Sequence, residues 1–416
     1  MKICIISNLY NLYVLGGAEI NTQRLAKALS RDNEIFVVTT KPFNNISSLF
    51  AQQEVREGTR IYRFYPLNLY SIYFHKKRRI VPLIKIIWHI LDLWNIHTFL
   101  VVLRILNKEK PDIIHTSNLD GLSFSVFWVA KFLKISLVHT LHDYHLLCPY
   151  ANFICPYTEF NICKKRSFPC RIYSLFKRII VDNIPELIIT PSRFIIDMHR
   201  EYGFFKKVNA KVIPYFIEIK EKVAREFDSR GKEMFDILYV GRLSKEKGID
   251  VLIRSFRELK GNFLRLDIVG DGPENKFLKE LAMEDKRVIF YGKVKDCEID
   301  EFYKGADVVV VPSVWYENFP TVVLEAVSFG VPVIGSNIGG IPEQIQDGSN
   351  GFLIRPKDSE DLKQKIKIFI DDFKKEGFLL KEIRKNAHES SEKYSKDRVI
   401  NELMKSYKEC LLKDER

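Results

Sequence analysis

No apolar run in this 416-residue chain is both long and clean enough to cross a bilayer. The greasiest stretch, Val81 to Leu106, is broken by Lys85, His89, Asp92, His97 and Arg104, and a spanning helix needs about 20 mostly apolar residues. No secretory leader is expected either. The opening Met1-Lys2-Ile3-Cys4-Ile5-Ile6-Ser7-Asn8 reads as a short strand running into polar residues, so a cytoplasmic protein is expected. Cysteine is scarce. Cys4, Cys297 and Cys410 are scattered, and Cys148, Cys155, Cys163 and Cys170 share one stretch. That stretch lacks the close C-x2–4-C pairs of zinc sites, and disulfides are rare in the cytosol. The expectation is no metal, with a structural ion on these four cysteines as the weaker alternative to buried thiols.

Disorder is excluded by 46% hydrophobic and 28% charged residues, an ordinary globular balance. The length suits two or three domains. Positive charge is in excess, 65 − 53 = +12, and unevenly placed. Residues 1–218 hold 29 Lys+Arg against 16 Asp+Glu, or +13, and residues 219–416 hold 36 against 37, or −1. The first half therefore suits an anionic partner: nucleic acid, anionic lipid or an acidic substrate.

Short apolar runs alternate with helical patterns throughout. In the first half the strands are Lys2–Ser7, Glu34–Thr40, Ile113–His115, Leu137–Leu141 and Leu187–Thr190, with a helix over Ile20–Leu29 after the turn Leu15-Gly16-Gly17-Ala18-Glu19. In the second half they are Phe235–Val240, Leu264–Val269, Val288–Tyr291, Asp307–Pro312, Val331–Gly335 and Gly351–Ile354. Helices are expected over Gly248–Leu259, Thr321–Phe329, Asp358–Asp371 and Tyr394–Leu412. Strands of four to seven residues between helices predict parallel, doubly wound sheets. Ile219–Glu233 is polar, charged and aperiodic. The expected domains are 1–218, a linker over 219–233, and 234–385, followed by a C-terminal helical stretch, 386–416, packing back toward the first domain. Two such domains imply a cleft, the default ligand site of open α/β sheets.

Two loops carry the chemistry. Gly241-Arg242-Leu243-Ser244-Lys245-Glu246-Lys247-Gly248 follows a strand and opens a helix. Arg242 offers a planar fork of donors and Lys247 a mobile charge, a pair fit to clamp a diphosphate. In Trp315-Tyr316-Glu317-Asn318-Phe319-Pro320-Thr321-Val322-Val323-Leu324-Glu325-Ala326, Pro320 suits a helix start. The helix N-terminus favours phosphate. Glu317 and Glu325 beside it call for hydroxyl donors, such as those of a sugar and a ribose.

The order of these pieces resembles glycosyltransferase family 4, the retaining GT-B enzymes. The matching run is Gly241-Arg242…Lys247-Gly248, Val269-Gly270-Asp271-Gly272-Pro273, Tyr291-Gly292, Glu317-Asn318-Phe319-Pro320…Glu325-Ala326, Gly330-Val331-Pro332-Val333-Ile334, Gly339-Gly340-Ile341-Pro342-Glu343 and Gly348…Asn350-Gly351, with Gly16-Gly17-Ala18-Glu19 as the glycine loop. The resemblance implies the GT-B fold, two Rossmann-like domains facing across a cleft. It implies that Arg242 and Lys247 clamp the diphosphate of a nucleoside-diphosphate sugar, of UDP or GDP type. Glu317 would hold the sugar hydroxyls, with the Asn318, Phe319, Pro320 and Thr321 backbone beside it, and Glu325 would hold the ribose. Backbone from Gly292 to Val294 would face the base. Gly16 and Gly17 would admit the phosphate closely. His142, in Thr140-Leu141-His142-Asp143-Tyr144-His145, resembles the active-site histidine that faces the donor sugar. His145 departs from the aromatic residue common there, and its role stays open.

Transfer would retain configuration through an oxocarbenium-like state, with charge building on the leaving diphosphate. No Asp-x-Asp occurs in the chain; that pair typifies metal-dependent transferases of the other main fold, so no cofactor is expected. The acceptor would be a saccharide or a lipid-linked one, and surface polysaccharide or lipopolysaccharide assembly is the expected setting. Residues 60–106 combine Arg63, Phe64, Tyr65, Tyr70, Tyr73 and Phe74 with Lys76-Lys77-Arg78-Arg79, Trp88 and Trp94. Such a mixture suits an anionic membrane surface, hence a peripheral enzyme on the inner face of the plasma membrane. Three rival readings stand beside this one. A nucleotide-sugar 2-epimerase of the same fold differs in leaving the nucleotide on its product. A dinucleotide-dependent oxidoreductase lacks support, because Gly270-Asp271-Gly272-Pro273-Glu274-Asn275 has no third glycine and Phe290 and Tyr291 stand where an acid belongs. Nucleic acid is not expected as a partner, since no recognition motif appears.

Overall fold

The computed structural model describes residues 1–13, 16–75, 81–155, 162–219, 232–375 and 377–414. Most of the expected linker, the Lys76–Arg79 run and Leu15 lie outside the described residues. The chain divides into two compact units. Unit 1 is Met1–Asn152, Lys165–Ile213 and Ile400–Arg416, and unit 2 is Phe153–Lys164 and Pro214–Val399.

Unit 1 begins with β1 (Lys2–Ile6), α1 (Gly17–Leu29), β2 (Glu34–Thr40), β3 (Gln52–Arg56) and β4 (Thr59–Phe64). Helices α2 (Ile72–His75), α3 (Pro82–Leu93) and α4 (Ile96–Glu109) follow. Then come β5 (Ile113–Thr116), α5 (Ser125–Leu133), β6 (Ser136–Thr140), α6 (Phe168–Val181), β7 (Leu187–Thr190), α7 (Arg193–Glu201) and β8 (Asn209–Val212). The sheet order is β3-β4-β2-β1-β5-β6-β7-β8. Among the described strands of this sheet only β3 runs antiparallel, against β4. The inner strands are buried nearly end to end, as the unbroken apolar runs Ile3–Ile6 of β1 and Ile35–Val38 of β2 require.

Unit 2 holds β9 (Phe235–Val240), α8 (Ile249–Arg257), β10 (Leu264–Val269), α9 (Asn275–Ala282), β11 (Val288–Gly292), α10 (Asp296–Gly305) and β12 (Val308–Val311). It continues with α11 (Thr321–Ser328), β13 (Val333–Ser336), β14 (Gly351–Ile354), α12 (Ser359–Phe373) and α13 (Phe378–Ser391). Its six strands are all parallel, in the order β11-β10-β9-β12-β13-β14. The last helix, α14 (Lys396–Asp414), lays Leu403, Tyr407 and Cys410 into the core. Tyr407 hydrogen-bonds His115 of β5, and Lys211 of β8 reaches Ser406 at 3.1 Å and Glu409 at 2.6 Å.

Several expectations need correcting. The start of the basic, aromatic segment is a strand: Arg63 is buried, ion-paired to Glu54 at 2.6 Å and bonded to the Tyr10 carbonyl, and Phe64 and Trp88 are core residues. Those side chains are spent on packing. The stretch Leu83–Glu109 has the length and apolarity of a membrane span, with a mean hydropathy of 1.6 and a third of it buried. Trp94 is extended, however, and the Asn95 side chain accepts from the Thr98 amide, so the chain breaks there into α3 and α4. Helix α4 buries Val101, Val102, Ile105 and Leu106 in unit 1. Helices α10 and α13 and strands β3, β4 and β8 carry too many charged or polar residues for their apolar period to show in the sequence. Phe153–Lys164 groups with unit 2, where Phe153 meets the Tyr316 ring at 6.3 Å.

Candidate active site

Strand order in unit 2 reverses between β9 and β12, so the loops leaving their C-terminal ends diverge and leave a crevice. The loop after β9 carries Arg242 and Lys247, and the loop after β12 carries Glu317. Backbone joins them: the Val314 amide donates to the Glu246 carbonyl at 2.9 Å. Gly248 makes this approach feasible. Its φ is +66°, and a Cβ there would lie 2.1 Å from the Pro312 carbonyl oxygen.

Glu317 is 5% exposed. Its Oε1 accepts from Lys247 Nζ at 2.6 Å and from Ser313 Oγ at 2.7 Å. A buried carboxylate needs such partners to offset the hydration it has lost. The Lys247 ammonium also lies 5.4 Å from the centre of the Trp315 ring. From behind, the Gly340 amide donates to the Glu317 carbonyl at 2.7 Å. Gly339, at φ +64°, has no room for a side chain, since its Cβ would stand 2.3 Å from that same oxygen. Arg242 is exposed, with its carbonyl held by the Tyr239 hydroxyl at 3.1 Å.

Pro320, at φ −64°, caps α11, and Gln344 Nε2 donates to its carbonyl at 3.2 Å. Asn318 and Phe319 are buried. The Phe319 ring packs against Tyr215 and Tyr394, at 5.9 Å and 5.8 Å, so that side chain serves the core and only backbone is offered at this position. Glu325 lies in the second turn of α11 and accepts from the buried Tyr303 hydroxyl at 2.8 Å. Burial, reinforced by the Glu325 charge, holds that phenol well above its ordinary range. Gly292 closes β11 at φ +71°, its carbonyl accepting from the Gly270 amide at 2.8 Å. Val294 packs on the apolar core of unit 2.

In unit 1, Gly16 and Gly17 open α1. A Cβ on Gly17 would meet nothing within 4 Å, so the fold itself does not demand glycine there. His142 follows β6 with a half-buried ring, and burial lowers its pKa to about 4. At neutral pH it is an uncharged hydrogen-bonding imidazole. His145 turns elsewhere: its Nε2 lies 2.7 Å from Asp120 Oδ1 and 3.2 Å from the Tyr173 hydroxyl. Asp92, Asp120 and His145 bring ligand atoms within 4.8 Å of one another. Lys177 faces the same cluster; burial lowers its pKa to about 8 while Asp120 and Asp92 pull it upward. Its ammonium supplies the positive charge that a metal ion would bring. No three of the four clustered cysteines bring ligand atoms within that distance of one another among the described residues, and none of the four forms a disulfide.

Three partners escape motif reading: Ser313 and Trp315 beside Glu317, and Tyr303 beside Glu325. Ser313 could be suspected from its place just after β12. Tyr303, 22 residues before Glu325, leaves no local signal.

Comparison with known proteins bears on these geometries. The family model of Glycosyl transferases group 1 matches residues 221–390, and that of Glycosyltransferase Family 4 matches residues 15–221. An uncharacterized 42.6 kDa protein in the cps region of Klebsiella pneumoniae is 31% identical, covering 82% of this chain and 87% of its own. The sulfoquinovosyl transferase SQD2 of Arabidopsis thaliana is 29% identical over 69% of this chain and 54% of its own. Among solved structures, Anabaena HepE in complex with UDP superposes with a TM-score of 0.70 at 20% identity, over 98% of this chain and all of that one.

Proposed function

The chain belongs to the family 4, group 1 glycosyltransferases and has their GT-B fold, and on that premise we propose a retaining hexosyltransferase that uses a nucleoside-diphosphate sugar. The donor is of UDP or GDP type and the acceptor is a saccharide or a lipid-linked one. The observation that carries this reading is Glu317: a buried carboxylate at the switch point of unit 2, held by Ser313 and Lys247 at the N-terminus of α11. Its remaining acceptor capacity suits sugar hydroxyls. Arg242, Lys247 and the first amides of α11 stabilise the charge that gathers on the leaving diphosphate. Glu325, steadied by Tyr303, takes the ribose hydroxyls, and backbone from Gly292 to Val294 meets the base.

To unit 1 we assign backbone contact with the donor phosphate at Gly16 and Gly17, and a hydrogen bond to the sugar at neutral His142. The anomeric carbon–oxygen bond to the diphosphate breaks as the acceptor oxygen attacks from the same face. The acceptor proton passes to the departing phosphate oxygen, so no protein base and no cofactor is required. The cps-region relative and the sulfoquinovosyl transferase support a polysaccharide or glycolipid product. We place the enzyme in the cytoplasm, peripheral on the inner leaflet of the plasma membrane, with the exposed side of α3, within residues 60–106, as the contact.

A thermal-shift series against UDP, GDP, ADP and NAD, with and without EDTA, tests this. Ligand at 100 times its Kd stabilises by about 2.7 kcal/mol. One nucleoside diphosphate should raise Tm, EDTA should leave the rise unchanged, and Arg242→Ala should erase it. A rise with NAD alone would overturn the reading.

A further inference from the structure

Helix α3 is built inside out. Its buried side carries Trp88 and Asp92, with Lys85 and His89 half-buried, while Leu83, Ile86, Ile87 and Ile90 are 64%, 56%, 41% and 59% exposed. A half-turn rotation would bury the isoleucines and release the carboxylate, the ordinary arrangement of a surface helix. Its neighbour α6 repeats the inversion. Lys177 and Ser174 are buried there, while Phe168, Phe176 and Ile179 are 74%, 52% and 65% exposed.

The two helices meet along a polar seam. The Lys177 ammonium donates to the His145 carbonyl at 3.4 Å and lies 4.6 Å from the Tyr173 ring centre. His89 packs edge-on against Tyr173 at 5.4 Å, and the Asp92 charge acts on Lys177. The seam fixes the rotation of both helices and so holds their apolar sides outward. Helix α5 extends the same surface, with Phe132 68% exposed and the Trp128 indole donating to the Ile180 carbonyl at 3.1 Å.

We propose that α3 and α6 form one apolar, cation-rimmed face that lies in the interfacial layer of an anionic bilayer. This deepens the membrane partner proposed above and is independent of the donor assignment. Large apolar side chains left in water forfeit the gain of burial, a loss that vanishes if their working surroundings are apolar. Charge selects the occupant. The one carboxylate on α3, α5 and α6 is the buried Asp92, whereas Lys131, Lys164, Lys165 and Arg171 are exposed. A second copy would oppose this cationic rim to itself, because a two-fold contact pairs a patch with its own image. Anionic headgroups complement the rim, and acyl chains take the isoleucines and phenylalanines. At about 1.5 Å per residue, the two helices are roughly 18 and 21 Å long, too short to span a core about 30 Å thick, so they lie along the surface.

Flotation of the full chain tests this, with vesicles of phosphatidylcholine alone or mixed with phosphatidylglycerol. The protein should float with the mixed vesicles. The double variant Ile87→Glu, Ile179→Glu should float at least tenfold less, with unchanged Tm and an unchanged nucleotide-induced rise. Should the pair fail to fold, the milder Ile90→Asn must still lower the bound fraction severalfold. Equal flotation of wild type and variant overturns the proposal, as does no flotation of the wild type. Concentration-dependent self-association abolished by the variant also overturns it, giving the face to a second copy. The nucleotide response, read in the same samples, shows whether the donor reading stands or falls separately.

Discussion

A methyl group added at Gly17 or at Gly339 should do opposite things. At Gly339 the backbone is left-handed and the Cβ would press on the Glu317 carbonyl. Gly339→Ala should therefore cost about 1–3 kcal/mol, lower Tm and displace Glu317. At Gly17 there is open space at the first turn of α1. Gly17→Ala should hold or raise Tm, by up to about 1 kcal/mol of helix preference, yet cut transfer at least tenfold if backbone there meets the donor phosphate. Melting curves and initial rates on the two variants check both statements. A Gly17→Ala enzyme of normal rate would remove that glycine from the site. Spacing made Arg242, Lys247, Glu317 and Glu325 legible at this scale, because each sits at a fixed offset from a strand end or a helix start. The pairing of Lys247 with Glu317 was not legible, since 70 residues separate them.

Among elements, α14 shows what a terminal helix contributes. Tyr407 is fully buried and meets His115 edge-on at 5.7 Å, with a hydrogen bond between hydroxyl and Nδ1. Tyr407→Ala should cost about 3–5 kcal/mol, as removal of a buried aromatic ring does. Tyr407→Phe should cost about 1–3 kcal/mol, through the buried imidazole nitrogen it strands. Denaturant melts that rank the two variants the other way would show that the ring is not the anchor. The apolar inner strands were legible because buried runs of Val and Ile have no other use. Strands β3, β4 and β8 were not, because charged or polar residues interrupt all three, and β3 and β8 lie at the sheet edges. The same interruption makes the buried Arg63 and Phe64 of β4 look like part of a basic, aromatic segment suited to a membrane surface.

For the whole molecule, pH is the telling variable. Burial lowers the pKa of His115 to about 3, with His142 adding to the effect, and that of His199 to about 4; His139 is held well below its ordinary value. With His142, four imidazoles refuse a proton that the unfolded chain accepts near 6.5. Their stabilisation is complete above that pH and is lost as pH falls from 6.5 toward 4, by up to about 3 kcal/mol for one such group. Asp92 and Asp143, raised by burial, act in the opposite sense and soften the slope. Tm should fall between pH 6.5 and 4.5, and His199→Gln should fall less steeply; an equal slope would show that His199 does not couple folding to protons. By itself the sequence determined the two α/β sheets, the family and the motif residues, because strand periodicity, turn glycines and helix starts are local properties of the chain. Only the tertiary structure decided that Ser313 and Lys247 hold Glu317, that Tyr303 steadies Glu325, and that α3 and α6 turn their isoleucines outward. Those outcomes depend on which distant side chains are packed together, and no local spacing encodes that.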